Sequence, residues 1–250
     1  MYRVGETEHG RGLVATRVLL PGTELMRVPV DKCIVGSSCR DLTFKLTPEY
    51  VKRLPENYSH FPVFWKTVNP RFAPLVKARR AHLLKECPDW DNYAPLRCFV
   101  GSRNFAKGEE KALVPEAELL NHSDRPNVHW CWEGDEFVMR VIARVARGDE
   151  LLDSYGKKQG YYEMLYYGFV SNPMTMVDGQ VVTLESHPFK DLNAFHEKLR
   201  ALRDDILRAP DPLSESELKV VRYWLSRTRR AVRASRRRTG VRSKGRRARG

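Results

Sequence analysis

Apolar residues recur at spacings of three and four through Phe189, Leu192, Phe195, Leu199, Leu202 and Ile206, which predicts a helix with one apolar face that stops near Pro210. Ser214 and Glu217 follow, three apart and ahead of Leu218, Val221 and Leu225. That spacing reads as a capping box opening a second helix, antiparallel to the first. Residues 12–30 and 137–152 carry β-branched and aliphatic residues punctuated by Pro21-Gly22 and Gly148-Asp149, as strands joined by turns do. Between Cys39 and Arg97, prolines at 48, 55, 62, 70, 74, 88 and 95 are expected to break the chain into short pieces. Several of these have helical spacing, such as Tyr50 with Leu54, and Phe61 with Phe64 and Trp65. The pattern predicts an α+β fold, with a β-rich core split by a helical insertion over about residues 40–99.

At 250 residues the chain is long enough for a self-sufficient core without disulfide staples. No uncharged run approaches the roughly 20 residues of a membrane helix, and the one over residues 164–177 contains Ser171, Asn172 and Pro173, so a membrane span is excluded. The N-terminus shows no basic segment followed by an apolar stretch and a small-residue cleavage site, so a nuclear or cytoplasmic location is expected rather than secretion. Cys33, Cys39, Cys87, Cys98 and Cys131 form an odd set without a CxxC spacing and read as reduced thiols. His122, His129 and Cys131 stand at loop spacings that suit zinc, but no fourth ligand falls nearby, and no metal is expected.

The formal charge of +13 is not spread along the chain. Residues 222–250 hold 13 Lys and Arg and no acid, whereas the rest carry 31 bases and 31 acids. From Arg227 onward the segment repels itself and lacks apolar surface to offset the entropy of ordering, so a disordered tail is expected over 229–250. It reads either as a solvated terminus or as a nuclear-import signal or phosphate clamp, and without aromatics it offers nucleic acid no base readout.

Four separated segments carry candidate chemistry: Gly10-Arg11-Gly12-Leu13, Ser102-Arg103-Asn104-Phe105, Glu118-Leu119-Leu120-Asn121-His122-Ser123, and Asp149 to Gly156 with its sequel Tyr166-Tyr167-Gly168-Phe169. Each alone reads as a turn, a cap or core aromatics. In this order, with Phe61-Pro62-Val63-Phe64-Trp65 between the first two, they resemble the SET-domain methyltransferases over Gly10 to about Asn172. The closer likeness is to the branch of the Rubisco large-subunit lysine methyltransferase and the actin histidine methyltransferase.

The resemblance implies a β-rich SET fold over residues 1–174, in which the Asn-His and Tyr segments thread together as a pseudoknot. A short helical region over 175–228 stands where the relatives have a larger docking domain. It also implies S-adenosylmethionine as cofactor, a monomer, and a lysine-bearing protein as substrate. His9, Gly10 and Arg11 would lie along the cofactor, Arg103 would face its carboxylate, and Asn121 and His122 would hold the adenine. Glu118, where relatives usually have Asp, is assigned to the substrate channel with Phe105, Tyr155 and Tyr167. Tyr155 is the catalytic candidate, because methyl transfer from a sulfonium is an in-line displacement that needs alignment in a water-poor channel more than a strong acid. The attacking lysine, with a solution pKa of roughly 10.4, must also shed a proton, which an apolar channel beside a cation favours. The aromatic at Phe105, where the histidine-methylating relative has Asn, favours lysine. A rival reading makes the chain a non-catalytic SET scaffold that binds nucleic acid or chromatin through its basic tail.

Overall fold

The β-branched N-terminal segment forms a hairpin, β1 (Tyr2–Thr7) against β2 (Gly10–Ala15), in the computed structural model of the chain. The chain returns at Gly10, whose φ of +97° lies in the left-handed region that favours glycine. There follow β3 (Glu24–Pro29), β4 (Ile34–Gly36), α1 (Cys39–Phe44), α2 (Pro48–Val51), α3 (Ala73–Glu86), α4 (Trp90–Arg103), β5 (Phe105–Lys107) and β6 (Glu110–Leu113). The second half holds β7 (Asn121–His122), β8 (Val128–Glu133), β9 (Glu136–Val141), β10 (Glu150–Asp153), α5 (Gly160–Tyr167), β11 (Met174–Val177), β12 (Gln180–Thr183), α6 (Leu192–Arg208) and α7 (Ser214–Lys244). The structure describes residues 1–55, 57–66, 68–86, 89–156, 160–171, 173–210 and 213–244, so Cys87, Asn172 and the last six residues of the basic tail lie outside it.

The chain divides into two units, residues 1–58 with 81–158, and residues 59–80 with 159–250, a boundary that falls before residue 174. The first unit holds three small sheets, in strand order β1-β2-β10-β7, β3-β9-β8 and β4-β6-β5. Leu13, Leu25, Phe137, Met139 and Leu151 are all but sealed from water in its core. Each such side chain stabilises the fold by roughly 1.5–3 kcal/mol. β8 is an edge strand, and Trp130 and Trp132, two apart on it, pack their rings against that core. The insertion is helical, with α1 capped by the Ser38 side chain and α4 by Asp89.

Prolines behave differently along the insertion. Pro48, Pro62 and Pro74 stand in the first turn of their helical segments, where the missing N–H is not needed. Pro95, expected to break the chain, instead lies inside α4 and is buried there. One lost backbone bond is offset by burial of the surrounding Tyr93, Ala94, Cys98 and Phe99.

In the second unit α6 turns Phe195, Leu199, Leu202 and Ile206 inward and ends at Ala209, as the periodicity predicts. Ser214 opens α7 as the first helical residue, and the wholly buried Glu217 carboxylate accepts from Nε and Nη2 of Arg71, at 3.0 and 2.7 Å, and from the Thr175 hydroxyl at 2.8 Å. A buried carboxylate is far more costly to leave unpaired than a helix N–H, and here a guanidinium fork is within reach. α7 also continues through residues 229–244, where disorder is expected. Composition speaks to burial, whereas Arg and Ala have high helix propensity, and Val232 is still buried. The four described cysteines are thiols. Among the described residues no helix is long and apolar enough to cross a membrane.

Candidate functional site

β10 organises the site in the first unit. It runs antiparallel to β2 through Glu150 opposite Val14 and Leu151 opposite Leu13, and parallel to β7 through Leu152 opposite Asn121 and Asp153 opposite His122. The Asn-His segment and the segment leading to Tyr155 are therefore side by side although some thirty residues separate them in sequence. Asn127 clamps the strand: its Nδ2 donates to the Glu150 carbonyl at 2.8 Å and its Oδ1 accepts from the Leu152 N–H at 2.8 Å. Such a side chain supplies the ladder bonds that a neighbouring strand would otherwise make.

Past β10 the chain places Tyr155 against His122. The Tyr155 N–H donates to His122 Nδ1 at 3.0 Å, and the Tyr155 hydroxyl donates to the Leu120 carbonyl at 2.6 Å. The two rings lie 5.2 Å apart. A phenol that gives its hydrogen to a fixed carbonyl keeps its oxygen lone pairs aimed elsewhere, which suits it to orient a neighbouring group without ionising. Below it, Asp153 accepts from the Trp130 indole at 3.0 Å, and burial pushes its carboxyl above the usual range.

Glu150 ties β2 to β7. Its Oε2 is 2.7 Å from His9 Nδ1, and its Oε1 accepts from Asn121 Nδ2 at 2.7 Å. Asn121 Nδ2 also donates to the Arg11 carbonyl at 3.3 Å. Gly12 makes this approach possible: a Cβ there would stand 2.4 Å from Glu150 Oε1 and 2.9 Å from Asn121 Nδ2. At Gly10 a Cβ would meet nothing within 4 Å, so its backbone borders open space.

Arg103 closes α4 and donates from Nη1 to the Glu118 carbonyl at 3.0 Å, with its guanidinium 5.7 Å from the Phe99 ring centre. Its Nε is buried without a hydrogen-bond partner among the described residues. The Glu118 carboxyl accepts a short hydrogen bond from Tyr50 of α2. Burial raises the Glu118 carboxyl above its usual range, opposed by the Tyr50 bond and by the guanidiniums of Arg103, Arg53 and Arg11. Burial and the neighbouring acid likewise raise the Tyr50 phenol. Arg11 Nη1 donates to the Arg53 carbonyl at 3.3 Å.

Within one unit these side chains form three groups of contacts: His9 and Asn121 with Glu150 and the Arg11 carbonyl, Arg103 with Glu118, and His122 with Tyr155. Phe105 is buried against Trp130 and Phe137, at centroid distances of 5.1 and 4.9 Å. Tyr167 belongs to the second unit, at the end of α5, 6.0 Å from the Phe169 ring. Glu150, Asn127 and Tyr50 hold the site without being marked by the sequence pattern. Glu150 lies inside a recognised motif, on a strand segment where a polar group invites a partner; Asn127 lies just past the Asn-His segment, and Tyr50 carries no signal, because its partner is 68 residues away. Among the described residues no group of three or more His, Cys, Asp and Glu is placed to hold a metal ion.

A β-rich unit in which an Asn-His strand runs beside a strand leading to a tyrosine defines a SET domain, and the SET-domain family model matches residues 10–156. The chain belongs to the SET-domain family. It is 29% identical over 66 residues to the SET domain-containing protein 8 of Schizosaccharomyces pombe, a stretch that is 26% of this chain and 15% of that protein. Among solved structures, Rubisco LSMT bound to AdoMet superposes with a TM-score of 0.56 at 18% identity, over 78% of this chain and 58% of that one. The SET domain of LSMT bound to lysine and AdoHcy gives 0.55 at 13% identity, over 89% and 70%. The chain therefore spans a small part of the yeast protein and little more than half of the AdoMet-bound structure, and the likeness to the solved structures is one of fold.

Proposed function

We propose that the chain is an S-adenosylmethionine-dependent methyltransferase acting on a lysine side chain of a protein. The observation that carries this reading is the parallel pairing of β7 with β10, which holds Asn121 and His122 against Tyr155 beside the glycine-bearing strand β2. The residues fit the cofactor on two counts. Arg103 carries a buried guanidinium nitrogen that makes no hydrogen bond among the described residues, and a fixed fork suits a carboxylate. The backbone at Gly10 borders open space.

In this reading Arg103 takes the amino-acid carboxylate of the donor, and the backbone from His9 to Arg11 runs along it. Asn121 gives its amide hydrogens to Glu150 and Arg11, so it presents an acceptor oxygen, which suits the exocyclic amine of adenine. His122 supports Tyr155 through the backbone. The donor supplies an electrophilic methyl on sulfonium sulfur. The Tyr155 oxygen, fixed by its bond to Leu120, aligns the incoming amine, while the apolar Phe105 excludes water and favours the neutral amine. LSMT structures carrying lysine or monomethyllysine support lysine as the accepting side chain.

The test is transfer of a radiolabelled methyl group into a cell extract by the wild type and by Tyr155→Phe, with labelled residues identified by hydrolysis. Label on lysine that disappears with the variant supports the reading. Label on histidine, or no label with pure folded protein, sinks it.

A further inference from the structure

Glu118 is held at both ends. Its carboxyl takes the Tyr50 hydroxyl of α2, and its carbonyl takes the Arg103 guanidinium at 3.0 Å. One residue therefore joins an insertion helix to the cation assigned above to the donor's carboxylate. The titratable and charged groups facing its carboxyl are Tyr50 of α2, Arg53 just beyond it, Arg103 of α4 and Arg11 of β2. This is one buried acid among three guanidiniums.

We propose that Glu118 is a positioning residue that couples carboxylate binding at Arg103 to uptake of a proton, an inference that rests on the assignment of Arg103 to the donor's carboxylate. A buried carboxyl is penalised as the anion by loss of water and is favoured as the anion by nearby guanidiniums. In the free protein burial already outweighs the arginines, since the Glu118 carboxyl sits above its usual range. A second carboxylate on Arg103 offsets that guanidinium's field and adds a like charge. Burial already tips this carboxyl toward the acid despite three guanidiniums, so a further negative charge on one of them makes Glu118 take a proton. The neutral acid still accepts from Tyr50 through its carbonyl oxygen, so the link to α2 survives the charge change.

The linkage has a definite sign. Well above the bound-state pKa of Glu118 both states are ionised and donor affinity is flat. Well below the free-state pKa both are protonated and affinity is flat again, but tighter. Between them affinity rises as pH falls, by about tenfold for each unit separating the two pKa values.

The probe is S-adenosylhomocysteine, titrated calorimetrically into the full chain in two buffers of different ionisation enthalpy, from mildly acidic to neutral pH. The expected result is a buffer-dependent heat, with uptake passing through a maximum of up to one proton. 5′-Methylthioadenosine, which lacks the carboxylate, is expected to bind without that uptake. Glu118→Gln is expected to bind S-adenosylhomocysteine with no such maximum. Tyr50→Phe removes a bond that favours the anion and is expected to move the maximum to higher pH. Uptake that persists in Glu118→Gln, or binding to the wild type with equal heats in both buffers throughout, overturns the inference and leaves the cofactor reading standing. Absence of any binding to the wild type overturns both.

Discussion

The backbone N–H of Tyr155 rests on the Nδ1 lone pair of His122 at 3.0 Å, so the proton of the neutral imidazole sits on Nε2. This bond turns two strands that merely run side by side into a fixed corner at which the Tyr155 ring is aimed. His122→Ala leaves a part-buried N–H without its acceptor, a loss of about 1–3 kcal/mol. At this chain length each kcal/mol lowers Tm by roughly 2–4 °C. Scanning calorimetry is expected to show that drop, together with weaker binding of S-adenosylhomocysteine. An unchanged Tm and affinity would remove the corner from the account.

Tyr155→Phe keeps the ring and loses only the hydroxyl bonded to the Leu120 carbonyl at 2.6 Å. If that oxygen aligns the reacting groups, the rate of methyl transfer falls by roughly 10²–10⁴ while the affinity for S-adenosylhomocysteine stays near wild type. Single-turnover transfer with saturating donor separates the two. A variant that turns over normally has no need of the hydroxyl.

A different pair holds the turn that leads into the Asn-His strand. Glu116 has φ 66° and ψ −40°, and the Ala117 N–H bonds the Pro115 carbonyl two residues back at 2.8 Å, a tight turn that a side-chain-bearing residue adopts only at a cost of about 1–3 kcal/mol. Tyr2 of β1 donates its hydroxyl to the Glu116 carboxyl at 2.7 Å and holds the turn in place. Burial and that neighbouring acid push the Tyr2 phenol up. Tyr2→Phe is expected to lower stability by about 1 kcal/mol. Glu116→Gly relieves the backbone but loses the bond, so its effect is expected to be smaller than that of Glu116→Ala. Urea titrations of the three variants read this order directly, and equal losses for Gly and Ala would show that the backbone there is not strained.

Much of the fold was legible because local periodicity and turn chemistry agree with it. The α6 face and the strand turns follow from spacing that neighbours in sequence impose. The parallel pairing of β7 with β10 joins segments of two and four residues, too short for any periodicity, and was legible only through the resemblance. Partner choice is invisible when two partners compete: Glu217 has cap spacing to Ser214 yet is bound by Arg71, 146 residues away. Tyr155, His122 and Arg103 were named through family resemblance, whereas Glu150 and Asn127, which hold the site together, are ordinary polar residues whose importance lies in their hydrogen-bond partners.

The exposed ion-pair lattice across β3, β8 and β9 sets an acid response. Glu133 is bonded by Arg140 at 2.5 Å and by Arg27 at 2.9 Å, and these guanidiniums hold its carboxyl down at about 2. A carboxyl with a depressed folded-state pKa contributes stability that is fully present above its unfolded value of roughly 4.3 and is lost as pH falls toward the folded value. Wild-type stability is therefore expected to decline between these limits. Glu133→Gln is expected to show a flatter decline there, and strong salt to shrink the difference. A carboxyl resonance of Glu133 that titrates near the ordinary value in an NMR experiment would contradict this.

The buried pair in the second unit should behave in the opposite way to that exposed lattice. Glu217 is wholly enclosed and faces both Arg71 nitrogens and the Thr175 hydroxyl, so α7 is pinned to β11 and to the segment before α3 by one carboxylate. Arg71→Met leaves that charge without its cation, a loss of about 3–5 kcal/mol, whereas Thr175→Val removes one neutral donor and costs about 1–2 kcal/mol. The double variant Arg71→Met with Glu217→Leu removes the stranded charge and is expected to be more stable than Arg71→Met alone, because a buried ion pair and an apolar pair of similar volume are close in free energy. Urea unfolding of the wild type, of Arg71→Met and Glu217→Leu singly, and of the double variant closes a double-mutant cycle. A double variant that loses the sum of the single losses would mean that the two side chains act independently, and the pin between α7 and β11 would have to be sought elsewhere.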